Sequence, residues 1–253
     1  MNNITSWQDR IMYKRHIASH VMKNFDIIKS APGTYTVEYP QYQKAFDYVD
    51  SLFPSMGIKR ITVYLCPKKT LEEAGYSKAG GVYCTYSRII IVADDLSDEN
   101  ISGIWSGVRA CTTPDETLVH ELLHYASDMR VKGRHIDEAY EEEFAYGYSI
   151  PYFLSKGWTE ETIIDNYFLP YLINKLDSES IKKKILFKNG HNLIAFYKLS
   201  NKEQNKVLKS VEKDLYDETI FRAREEGKRI FKSYKDKRPE KEPLDDDFDF
   251  IVL

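Results

Sequence analysis

A chain of 253 residues with 42% hydrophobic and 30% charged side chains can bury a sizeable core, which excludes a small stapled scaffold and a disordered chain. Its formal net charge of −3, from 36 basic and 39 acidic residues, gives no bulk electrostatic reason to expect a nucleic-acid partner. No run of eighteen apolar residues occurs and the N-terminal stretch lacks an apolar segment of signal-peptide length, so the expectation is an intracellular protein without a membrane segment.

In chain order, residues 1–57 read as a mainly helical N-terminal region. Apolar positions recur at Ile11, Ile17, Val21 and Phe25 and again at Phe46, Val49, Leu52 and Phe53, with a Pro- and Gly-marked loop, "APGTYTVEYP", between the two sets. His16 and His20 lie four apart there without an acidic neighbour and read as a half-exposed helix face. From residue 58 the pattern changes to β-branched and aromatic runs, "RITVYL" and "GVYCTYSRIIIVADD", as strands require, with Thr85 to Arg88 either turning a hairpin or bending one long strand. Cys66, Cys84 and Cys111 stand at no CxxC spacing and read as free thiols rather than disulfides or a thiolate zinc site.

Helices resume at "TTPDETLVHELLHYASD". Thr113 can cap the helix, Pro114 fits its first position, and Glu116 completes a capping box. His120 and His124 then project from one face, close enough for both imidazoles to converge on one ion, and neutral imidazole suits zinc. Glu121 lies a hundred degrees round the helix, beside the metal and not on it, where its carboxylate can take a proton from an attacking water. Asp128, one turn further, reads either as orienting a histidine or as an ion-pair partner of Arg130 or Arg134.

Two imidazoles are too few for a catalytic zinc, which usually has three protein ligands and one open position. Ser127 and Arg130 exclude the metzincin pattern. The next helix, "HIDEAYEEEFAYGYSIPYFL", is rich in glutamate. His120-Glu121-x-x-His124 followed by Glu142-Glu143-Phe144-Ala145 resembles the gluzincin group of zinc metallopeptidases, and the segment with Tyr148-Ser149 is similar to the second helix of the minimal ImmA/IrrE-type gluzincins. The resemblance covers about residues 61–154. It implies Zn2+ held by His120, His124 and Glu142, with Glu121 as general base. The family's spacing of about eighteen residues after the second histidine would select Glu143 instead. Residue type weighs more here, because loop length varies more freely than the face a ligand occupies. Tyr140, Tyr146, Tyr148 and His191 are the candidate oxyanion donors.

Further on, Thr159 can cap a helix bent or broken near Pro170, and Ser200 with Glu203 forms a capping box opening a long helix to roughly Lys235. Residues 237–253 read as an acidic flexible tail. The expected organisation is an α+β fold: an N-terminal helical region (1–57), a zincin-like core (58–157) of small sheet, active-site helix and glutamate helix, a C-terminal helical region (158–236), and the tail. The function expected is hydrolysis of a peptide or protein substrate. Its rival is a non-catalytic interaction protein retaining the zincin fold, with partners meeting the terminal helices or the tail. A zinc hydrolase of a non-peptide amide is a third reading.

Overall fold

The structure, a computed structural model, describes residues 27–28, 40–74, 76, 79–85, 87–96, 113–131 and 138–237. His16, His20, Cys111, His135, the helix expected over Ile11 to Phe25 and the tail beyond residue 237 lie outside them. The described part is mostly helical with one small sheet, an α+β chain. It falls into two compact units dividing between Trp158 and Thr159, with the chain from Ser233 counted in the first. Among the described residues no helix is long and apolar enough to cross a membrane.

In the first unit, β1 (Ile27–Ile28), β2 (Thr62–Cys66), β3 (Gly81–Cys84) and β4 (Ile89–Ala93) form a sheet in the order β1-β2-β4-β3. β1 is a strand inside the region expected to be mainly helical. β2 and β4 are parallel, and β3 is antiparallel to β4. The parallel pair needs a long connection, filled here by α2 (Lys68–Glu73) and β3. β3 and β4 pair as a hairpin and are not one bent strand, and Arg88, just ahead of β4, lies in the left-handed region at φ 49°.

β4 is an inner strand, between β2 and β3, and reads IIIVA because both its faces are covered; all five residues are buried. One face of the sheet, with Tyr64, Cys66, Ile89 and Ile91, packs against Leu71 of α2 and Ala74 at its end. The other, where Gly81 faces Val92, takes α3 (Pro114–Arg130). The Nζ of buried Lys68 donates to the Ala79 carbonyl at 2.7 Å and so ties down the approach to β3.

α1 (Pro40–Leu52) and α4 (Glu138–Ser155) both pack on α3. Phe53, just after α1, meets Phe144 and Tyr148 of α4 with ring centroids 5.6 Å away in each case. Gly147 in α4 lies flat against the Tyr234 ring: a Cβ there would sit 2.5 Å from two ring carbons.

The second unit begins at Thr159, whose hydroxyl caps the chain by accepting the Thr162 N–H. A short α5 (Glu160–Thr162) widens into a π-helical turn (Ile163–Phe168) before α6 (Leu169–Lys175). Pro170 has no N–H to give and its ring crowds the preceding turn, so the break falls ahead of it as a wider turn. α7 (Ser178–Lys188), α8 (Leu193–Lys198), α9 (Asn201–Ser210) and α10 (Glu212–Tyr234) follow. The single long helix expected from Ser200 is thus two. Val211 leaves the helical region at φ −116°, and its side chain is buried with Ile181, Ile185 and Leu186. Burying that one residue outweighs an unbroken helix.

Gly147→Ala tests the helix contact by sign. Helix propensity alone predicts a gain of about 1 kcal/mol, whereas the contact with Tyr234 predicts a loss of about 1–3 kcal/mol from overpacking. Urea denaturation should show a lowered midpoint; a raised one would mean that Tyr234 does not constrain α4.

Candidate metal centre

Helix α3 starts where its sequence says it should. Thr113 and Glu116 form the reciprocal capping box, with the Thr113 N–H donating to Glu116 at 2.8 Å, and Pro114 occupies the first turn. Leu118, Leu122 and Leu123 are fully buried. This fixes the opposite face, carrying His120 and His124, with its rings 4.7 Å apart and their Nε2 atoms at 3.1 Å. Helix α4 brings Glu142 over the pair: one carboxylate oxygen lies 3.7 Å from His120 Nε2, the other 3.7 Å from His124 Nε2.

One ligand atom from each of these three residues can be chosen so that all lie within 4.8 Å of one another. In a tetrahedral zinc site with bonds near 2.1 Å, ligand atoms stand about 3.3 Å apart, so the three residues fit a zinc ion with little movement. The donor chemistry fits as well. Burial, with the neighbouring His124, holds the His120 pKa well below its ordinary value, so the ring is neutral and can give its lone pair to a metal.

Glu121 sits beside this triangle and outside it. Its carboxyl is buried and accepts a hydrogen bond from the Tyr83 backbone N–H, while burial and then the Glu142 charge push its pKa up to about 8. A cation between the two carboxylates would oppose that shift and favour the ionised base. The close approach of Glu121 to β3 needs a glycine: a Cβ on Gly81 would fall 2.9 Å from Glu121 Cγ, 2.8 Å from Thr117 Cγ2 and 3.1 Å from the Ile91 carbonyl oxygen.

β3 is the edge strand on this side, with no further strand beyond it among the described residues. The Ala93 N–H bonds to the Gly80 carbonyl, so in this register Val82 pairs with Ile91 by hydrogen bonds while Gly81 and Tyr83 point their backbone groups outward. The run "GVYCTYSRIIIVADD" does not by itself say which of its halves lies at the edge of the sheet. The structure makes Gly81–Cys84 the edge and buries the IIIVA half between two neighbours.

The remaining candidates separate by position. Tyr146, one turn beyond Glu142, sets its ring edge-on to His120 at 4.8 Å. Tyr148 is buried among Phe53, Phe144 and Tyr234. Tyr140 is 55% exposed, and His191 belongs to the second unit. Glu143 is not in the metal-ligand group. Asp128 is buried and accepts the Tyr83 hydroxyl at 2.7 Å, a partner neither sequence reading foresaw. Gly81 and Tyr83 were missed because no motif marks them; their period-two spacing, which puts both on one strand face, was the available signal.

A competitive chelator titration distinguishes the two glutamates. Glu142→Ala should weaken zinc retention by two orders of magnitude or more, as loss of a direct ligand does, on the order of 3 kcal/mol or above. Glu143→Ala should stay within about threefold of the unaltered chain. The reverse ranking would give the third ligand position to Glu143.

Compared with known proteins, the chain matches no family model, no curated protein and no solved structure.

Proposed function

We propose that this protein is a zinc-dependent peptidase of the gluzincin type, built on a zincin-like core of the sheet, α3 and α4. The observation that carries the reading is the convergence of His120, His124 and Glu142 on one point with Glu121 held beside it. A zinc ion bound there supplies Lewis acidity, making a water more acidic and polarising the scissile carbonyl. Glu121 takes the proton from the attacking water and delivers it to the departing amine. Tyr146, against His120, is the best-placed of the four aromatic and histidine candidates to donate to the oxyanion.

The substrate chain is held extended along the outer edge of β3. Gly81 turns both its N–H and its carbonyl outward, whereas the outward N–H of Tyr83 is engaged by Glu121. Backbone pairing centred on Gly81 therefore brings a peptide alongside the general base. That arrangement favours a peptide over a small amide, because a small amide has no strand to pair.

One observation keeps a second reading open. The second unit exposes large apolar side chains, Phe187 at 76%, Ile194 at 71% and Phe221 at 59%, as a protein with binding partners would. A non-catalytic interaction protein would retain the metal and lack turnover.

Glu121→Gln separates the two. The amide keeps the size and can still accept from Tyr83, so fold and zinc content should be unchanged. Cleavage of a diverse peptide library should fall by about 10²–10⁴-fold, since an amide cannot take the proton. Equal cleavage by both proteins would remove Glu121 from the mechanism. No cleavage by either would favour the interaction protein.

A further inference from the structure

Helices α3 and α4 run antiparallel, and the stripe of α4 that faces α3 is polar at both ends. At one end Glu142 and Tyr146 meet His124 and His120. In the middle Ala145 and Ser149 are small and fully buried, and Ser149 turns its hydroxyl back onto the Ala145 carbonyl at 2.7 Å. Such small side chains let the helices approach closely without fixing how far one slides along the other. At the far end Tyr152 and Lys156 reach Asp115, in the first turn of α3.

That far end is densely bonded. The Asp115 carboxylate accepts from the Tyr152 hydroxyl at 2.8 Å, from Lys156 Nζ at 2.7 Å and from the Thr113 hydroxyl at 2.6 Å. Next to it, Glu116 is 1% exposed and accepts from Trp158 Nε1 at 3.0 Å and from the Thr113 N–H, with Lys156 Nζ 3.7 Å away. Burial alone would raise the Asp115 carboxyl, but the donors Lys156, Thr113 and Tyr152 outweigh it and hold it below the ordinary range. The carboxylate is therefore ionised, and its bonds are charge-assisted and directional. Losing one donor leaves a buried charge short of a partner.

We propose that Asp115 and Lys156, with Tyr152, are positioning residues for the metal centre. They lock the sliding register and angle of α4 on α3, and so place Glu142 over the two histidines. Ten residues of helix separate Glu142 from Tyr152, a lever of about 15 Å. A shift of half a turn at the lock would carry the carboxylate out of reach of the imidazoles. Hydrophobic contact alone tolerates such a shift; a buried bonded carboxylate does not. The inference rests on the zinc-site reading above.

The test compares zinc affinity with stability in the same folded proteins. Asp115→Asn and Lys156→Met should weaken zinc, measured by chelator competition on protein shown by urea titration to be folded, by about 10–100-fold. They should also shift the visible absorption of the Co2+-substituted protein, which reports ligand geometry. Lys156→Arg, which keeps the charge and the donor, should restore affinity to within about threefold of the unaltered chain. Tyr152→Phe, which removes one hydroxyl and little else, gives a milder form of the same loss should the charge variants fail to fold. Ile91→Val, on the sheet face away from α3, should lower the urea midpoint with zinc affinity and Co2+ spectrum unchanged. Wild-type zinc affinity in Asp115→Asn, Lys156→Met or Tyr152→Phe would overturn the positioning role while leaving the zinc site intact. Absence of zinc binding in the unaltered chain would instead remove both.

Discussion

The contact between α3 and α4 is the constraint on which the first unit depends, because it buries carboxylates that water would otherwise solvate. Asp115, Glu116 and Glu121 are all buried on α3, and Glu142 of α4, at the Glu121 end, has its side chain only 26% exposed. Each needs a partner that justifies leaving water. Asp115 and Glu116 find theirs in Lys156, Tyr152, Trp158 and the helix cap. At the other end of the helix pair, burial first and then the nearby Glu142 charge raise the pKa of Glu121. A neutral His120 imidazole does not offset that charge. A divalent cation would, and the three candidate ligands stand close enough together to hold one.

The sheet serves this helix pair twice. Its strand β4, buried on both faces, gives α3 a wall to lie on. Its edge strand reaches past that wall, and the missing side chain of Gly81 lets Glu121 and Thr117 close onto it. Tyr83 then ties the strand to the helix at two points, through its backbone N–H to Glu121 and its hydroxyl to Asp128. Glu121 and the outward backbone groups of Gly81 are thus brought together along one four-residue strand, which is the relation the proposed peptide alignment rests on.

How much of this the sequence disclosed varied with the range of the interaction involved. The start of α3 was legible because Thr113, Pro114 and Glu116 act within one turn, and the two histidines because helical periodicity alone puts them on one face. The choice of Glu142 over Glu143 was also a question of helix face, and the structure sets Glu142 beside the histidines. Interactions between distant segments left no such mark. Asp128 finds Tyr83, forty-five residues earlier, and Lys156 finds Asp115 across the helix pair. Val211 interrupts what local propensity reads as one helix, because it is worth more buried beside Ile181 and Ile185. Which strand lies at the edge of the sheet was not legible for the same reason: strand order is set by pairing partners, not by the strand's own composition.

The central claim is that His120, His124 and Glu142 hold one zinc ion. Elemental analysis of the full chain, supplied with zinc at neutral pH and then freed of excess by gel filtration, tests it directly. The account predicts about one zinc per chain for the unaltered protein and a substoichiometric content for His120→Ala, since two remaining ligands hold a divalent ion poorly. No retained zinc in the unaltered chain, or equal zinc in both proteins, would contradict it.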